Sequence, residues 1–90
     1  MAEVLFSPDA DRAMTGLEAD PTMAGLLHRL DLALEALGSD PGDQRCRRRA
    51  YSGGVWGMPV RHGAQEHLVL WWEGPGPGEV TVGYVGPDPF

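Results

Sequence analysis

The positive charge of this chain is concentrated in one short stretch, which is the strongest chemical signal in the sequence. Residues 45–61 hold five of the seven Lys and Arg residues and no acidic residue. These five are Arg45, Arg47, Arg48, Arg49 and Arg61. Because the guanidinium group presents a planar set of donors that suits phosphate, the cluster predicts a surface that faces an anion. The alternative is a solvated basic edge that prevents the strands from pairing with other molecules.

Two histidines lie close to this cluster and could move protons. His62 and His67 follow Arg61 in the sequence, and an imidazole can exchange a proton near neutral pH. The alternative is a structural or solvated role for each ring, and His28 is expected on a helix surface. Since one cysteine and three scattered histidines give no metal-ligand spacing, we expect neither a metal site nor a cofactor.

Three tryptophans could stack on nucleic-acid bases, as aromatic side chains do on RNA-binding sheets. Core packing is the simpler interpretation. Trp71 and Trp72 are adjacent, and adjacent residues of a strand point to opposite faces of the sheet. We therefore expect one of them in the core beneath the helices, and the other on the uncovered face of the sheet or under the C-terminal tail.

The elements that position these groups begin with a short strand at residues 3–7 and two helices. Ser7-Pro8 and Asp20-Pro21 each match an N-cap followed by proline in the first helical turn. Apolar residues recur with helical spacing between positions 23 and 37, which predicts an amphipathic second helix that ends at Gly38. Because almost nothing separates the two helices, we expect a helical hairpin.

The second half of the chain has the pattern of β-structure. We expect strands at residues 46–52, 55–61, 67–73 and 79–85, a loop at 62–66, turns at 53–54 and 74–78, and an extended tail from residue 86.

Alternation along these strands predicts where the polar side chains point. Arg61 falls on the face opposite Trp56, and Tyr84 falls on the same face as Val82. Pro59 has no N–H for a ladder hydrogen bond, so a bulge or an edge position is expected there.

Length and composition limit the class of protein. Ninety residues fit one domain, residues 1–90, and the order of elements predicts an α+β fold with a mostly antiparallel, twisted sheet of four to five strands. One cysteine allows no internal disulfide, and the net charge of −6 argues against non-specific nucleic-acid binding by the whole surface. Because the N-terminus has no signal-peptide pattern and no apolar run could span a bilayer, we expect a cytoplasmic protein without a membrane partner.

The order and spacing of four segments resemble the RelE/ParE superfamily of toxins from type II toxin–antitoxin systems. The segments are the opening VLFSPDADR, the helix end LEALGSDPGD, the arginine strand RCRRRAYSGG, and VWGMPVRHGAQEHLVLWW. The last segment is similar to the family's pattern of an aromatic-glycine start, an outward arginine, a short loop and an apolar return strand. Together the segments span most of the chain.

The resemblance implies an endoribonuclease that cleaves messenger RNA on the ribosome, in which the 2′-hydroxyl attacks its own phosphate. Arg61 matches the outward arginine and would stabilise charge on that phosphate. Tyr84 falls where the family's last strand often carries catalytic side chains. His67 is the third catalytic candidate, as a group that could carry a proton. Arg47 and Arg49, on one face of their strand, would hold flanking phosphates, and Arg45 and Arg48 could do so if the strand twists.

The superfamily also contains members that inhibit DNA gyrase and members without clear activity. A non-catalytic module, either a gyrase inhibitor or a protein held by its antitoxin, is therefore the alternative. In both cases the expected partner is a cognate antitoxin, whose acidic tail would cover the arginine stretch. A homodimer or a hetero-oligomer with the antitoxin is also compatible with the resemblance.

Overall fold

A computed structural model describes all residues from 1 to 90. Two helices pack on one face of a five-stranded sheet whose strand order is β1-β5-β4-β3-β2. The elements are β1 (Glu3–Phe6), α1 (Pro8–Glu18), α2 (Ala24–Ser39), β2 (Arg49–Tyr51), β3 (Val55–His62), β4 (Gln65–Glu73) and β5 (Glu79–Pro87). Short 3₁₀ helices lie at Pro21–Met23, Gln44–Arg47 and Ser52–Gly54. The predicted α+β class is confirmed.

The sheet is mixed, which corrects the prediction of a mostly antiparallel sheet. β1 runs parallel to β5, whereas the β5-β4, β4-β3 and β3-β2 pairs are antiparallel. The physical reason is the connection after β1. Two helices follow it instead of a tight turn, so β1 lies at the far edge of the sheet and pairs with the last strand in the same direction.

The helices form where the capping signals and the apolar spacing predict them. Ser7 Oγ accepts a hydrogen bond from the Ala10 N–H at 3.2 Å and so caps α1. Leu26, Leu30 and Leu37 of α2 are fully buried against the sheet. Asp20-Pro21 starts a 3₁₀ turn instead of α2 itself, which begins at Ala24. No helix is long and apolar enough to cross a membrane.

The predicted strand at residues 46–52 is largely replaced by a 3₁₀ helix, and only Arg49–Tyr51 remains extended. Cys46 in that 3₁₀ helix is fully buried, and its carbonyl accepts a hydrogen bond of 2.7 Å from the indole of Trp71. The ladder between β2 and β3 therefore stops at Gly57. Pro59 lies beyond that point, where β3 is locally an edge strand, as its missing N–H requires.

The loop expected at residues 62–66 is a tight hairpin. His62 pairs with Gln65, and the turn between them contains Gly63 with a φ of 63°. Since a two-residue hairpin turn needs positive φ, glycine suits this position. The hairpin extends both strands and places Arg61 directly opposite Glu66.

A β-bulge in β5 overturns the predicted direction of Tyr84. Leu70 pairs with Tyr84 but Trp71 pairs with Val82, so Gly83 is an extra residue in the ladder. Val82 therefore points to the helices, while Tyr84 points to the opposite face together with Leu70. We call this face, which carries Leu68, Leu70, Tyr84 and Arg61, the open face.

The two neighbouring tryptophans divide between the faces as predicted. Trp71 is fully buried in the core under the helices. Trp72 lies on the open face, where its ring contacts Gly83 and occupies the space that a side chain there would need. The bulge glycine therefore serves both the strand geometry and the packing of Trp72.

Candidate functional site

Arg61 is the exposed cation of the open face. It lies near the hairpin end of β3, directly opposite Glu66 of β4. Directly opposed residues share a face and lie close together, yet the Glu66 carboxylate is bound by Arg49 and Arg61 forms no ion pair. The guanidinium of Arg61 is thus free for an external anion.

Arg49 connects two carboxylates on the same face. Its Nη2 atom donates to Glu66, and its Nη1 atom donates to Asp88 Oδ2 at 2.8 Å. The pKa of Arg49 is raised, first by the hydrogen bond with Asp88. The pKa of Asp88 is lowered, first by the backbone N–H of Phe90 and then by Arg49. Both shifts favour the charged forms of Arg49 and Asp88 at neutral pH.

Arg47 is also paired within the chain, but on the helix side of the sheet. Its Nη2 atom donates to Glu73 Oε1 at 2.7 Å, and its guanidinium carbon lies 4.7 Å from the centre of the Trp56 ring. The prediction that Arg47 and Arg49 share a face is wrong, because Arg47 belongs to the 3₁₀ helix and not to β2.

The remaining arginines of the stretch differ in their pairing. Arg45 binds Asp43 at 3.0 Å, and this interaction lowers the pKa of Asp43. Arg48 is exposed and forms no ion pair. Of the five arginines, only Arg48 and Arg61 keep their charge free, so the anion-facing surface is smaller than the sequence predicts.

His67 lies on the other side of the sheet from Arg61. It is opposite Val60 and faces the helices, with 6% of its surface exposed. Burial, and then the nearby His62, lowers the pKa of His67, and its Nδ1 atom has no hydrogen-bond partner. The structure therefore does not bring His67 together with Arg61, and the ring is neutral at physiological pH.

Tyr84 shares the open face with Arg61, because the bulge turned it there. Its ring lies against Gly86, and its hydroxyl donates a hydrogen bond to the Pro87 carbonyl. A bulge of one residue has no periodic signature, although a glycine inside a strand pattern is a known signal for one.

The sequence did not predict a role in the site for two acidic residues of the open face, Glu66 and Asp88. Glu66 fell in an expected loop and Asp88 in the tail. A signal for Glu66 existed, since a two-residue turn containing Gly63 would have paired it with Arg61. Asp88 gave none, because its interaction with Arg49 spans 39 residues.

A cleft lies at the opposite end of β3 from Arg61. It measures about 600 Å³, and its walls include Trp56, Trp72 and the Arg47–Glu73 ion pair. Arg61 does not line this cleft and lies on an exposed part of the open face.

The open face thus combines a free guanidinium, a carboxylate opposite it and a phenol, which can bind an anion and exchange protons. No protein-family model, curated protein or solved structure matches this chain.

Proposed function

We propose that this chain is the toxin of a type II toxin–antitoxin system and acts as a ribosome-linked endoribonuclease. The observation that carries the proposal is the free, exposed guanidinium of Arg61 on the open face. The order of strand, helical hairpin and antiparallel return strands, with β1 parallel to β5, supports it. The proposed site of action is the cytoplasm.

In this proposal the 2′-hydroxyl oxygen of the RNA attacks the adjacent phosphorus, and the bond to the 5′-oxygen breaks. The products are a 2′,3′-cyclic phosphate and a 5′-hydroxyl. Arg61 stabilises the charge on the phosphate oxygens. Glu66 takes the role of proton acceptor in place of His67, since Glu66 lies opposite Arg61 and His67 faces the helices. Tyr84 returns a proton to the leaving 5′-oxygen, once its hydroxyl leaves Pro87.

A non-catalytic module is the second candidate, and a separate observation favours it. Arg45, Arg47 and Arg49 each bind an acidic residue of this chain. An RNA strand would have to compete with these carboxylates, whereas a protein partner could use Arg48 and Arg61 alone. Inhibition of gyrase or simple retention by an antitoxin would fit such a surface.

Induced expression with genome-wide mapping of transcript ends separates the two candidates. Growth arrest with codon-phased cleavage and 5′-hydroxyl ends supports the nuclease. Growth arrest with DNA damage and intact transcripts supports gyrase inhibition. Unchanged growth and unchanged transcripts would overturn the toxin proposal, provided that the accumulated protein is shown to be folded.

The proposed antitoxin can be sought directly. A small gene next to this one should encode a DNA-binding protein with an acidic tail. Co-expression of that protein should restore growth and yield a stable complex on size exclusion, which also reports the stoichiometry.

A further inference from the structure

The residues that follow β5 fold back onto the open face. The Asp88 N–H donates to the Glu66 carbonyl at 3.2 Å, and its carboxylate accepts a 2.8 Å hydrogen bond from Arg49. Two residues later, the ring of Phe90 stacks on Tyr51 with centroids 4.8 Å apart and planes inclined by 24°. An acidic and an aromatic side chain two residues apart thus occupy adjacent positions.

The receiving surface is formed by Arg49, Tyr51 and Gly57, and we call it the Arg49–Tyr51 surface. Arg49 and Tyr51 lie two apart on β2 and so point to the same face. Gly57 of β3 lies beneath them. A Cβ atom on Gly57 would approach Tyr51 Cε2 to 2.9 Å and Arg49 Cβ to 3.3 Å, so the glycine lets both side chains lie low on the sheet.

Glu66 holds Arg49 in a position from which its guanidinium can bind a second carboxylate. It binds Nη2 of Arg49 from within the sheet, and Nη1 remains directed at the position that Asp88 occupies. When Asp88 leaves, Arg49 and Arg61 outnumber Glu66 by one charge. The vacated position therefore favours an anionic group, and the half-buried Tyr51 ring, which Phe90 stacks on, favours an aromatic one.

We propose that the Arg49–Tyr51 surface binds a segment of a partner protein with a carboxylate followed two residues later by an aromatic ring. In the free chain, Asp88 and Phe90 occupy this site. The tail is displaceable because the Phe90 side chain makes its contact on one side only and keeps 77% of its surface exposed. The inference does not depend on the proposed nuclease activity, and its test measures binding alone.

The experiment uses the full chain with Asp88→Asn and Phe90→Ala, which should free the site. The probe is an acetylated and amidated peptide with the sequence of residues 86–90, titrated into ¹⁵N-labelled protein. We expect shifts of the Arg49, Tyr51 and Gly57 amide signals, with an affinity about threefold or more above that of the parent chain, where the tail competes. Peptides with Asn for the acid or Ala for the aromatic ring should bind several-fold more weakly.

Three results would overturn the proposal. The first is that all three peptides bind equally, and the second is that the variant and the parent bind the peptide equally. The third is that a short RNA shifts the same amide signals at a lower concentration than the peptide does. The last result would assign Arg49 to phosphate. If the double variant does not fold, Asp88→Asn alone takes its place. The order of the three peptide affinities then tests the proposal in the same way.

Discussion

Arg61 and Glu66 face each other across the β3–β4 hairpin, but Glu66 binds Arg49 instead of its direct neighbour. Arg49 can reach Glu66 because Gly57 leaves room for its side chain to lie along the sheet. One arginine is thereby held in a network with two carboxylates, and the other is left with all its donors unoccupied. This division of roles makes Arg61 the best residue for testing the proposed chemistry.

Replacement of Arg61 by Ala should abolish growth inhibition and lower RNA cleavage on the order of 10²–10³-fold, as loss of a charge-stabilising donor does. Arg61 is exposed, so its removal opens no cavity and the melting temperature should stay unchanged. Arg48→Ala is the matched control, since Arg48 is also exposed and unpaired but precedes the edge strand. If Arg61→Ala is as toxic as the parent, Arg61 does not contact the phosphate.

Tyr84→Phe should lower RNA cleavage by roughly 10²-fold if the phenol protonates the leaving oxygen. The bulge at Gly83 puts this hydroxyl on the same face as Arg61. The variant loses only one exposed hydrogen bond, to Pro87, so stability should change little. Cleavage rates on a defined messenger, measured with folded protein, give the answer. A parental rate would assign Tyr84 to packing against Gly86.

Leu30→Ala should cost about 2–5 kcal/mol of unfolding free energy, because it removes buried methyl groups and leaves a cavity. Leu30 is fully buried in α2. Leu32, on the same helix, is 54% exposed, so Leu32→Ala should change stability by less than about 0.5 kcal/mol. Denaturant titrations of both variants test the packing of α2, and equal losses would contradict it.

Stability should fall as the pH drops below about 6.5, because burial lowers the pKa of His67 in the folded state. The unfolded chain then binds a proton that the folded chain does not. The full stability is present above the unfolded pKa and declines below it, by at most about 1.4 kcal/mol per pH unit for one group.

This pH dependence can be traced to one ring. Unfolding titrations between pH 7.5 and 5.5 should show a smaller slope for His67→Leu than for the parent. His28→Gln, which changes an exposed histidine of α2, should retain the parental slope. If His67→Leu shows the same slope of stability against pH as the parent, another group causes the pH dependence.

Local patterns in the sequence were enough to predict several features. The apolar spacing of α2 predicted that Leu30 is buried, and adjacency predicted that Trp71 and Trp72 face opposite ways. The outward direction of Arg61 followed from alternation along β3. Each of these depends only on the 3.6-residue or two-residue period of one element, which neighbouring residues determine.

Tertiary structure decided which of the charged residues meet. The bulge at Gly83 inverted the direction of Tyr84, because one extra residue reverses every later side chain in a strand. Arg49 reaches Asp88 from 39 positions away, and Arg47 reaches Glu73 from 26 positions away. The order of the strands and the path of the C-terminal tail determine which acidic residues lie beside these arginines. The local spacing of residues in the sequence does not predict such contacts. Three arginines from one short stretch thus form separate ion pairs, with Arg47 on the helix side of the sheet and Arg49 on the open face, while Arg45 pairs with Asp43 of the preceding turn.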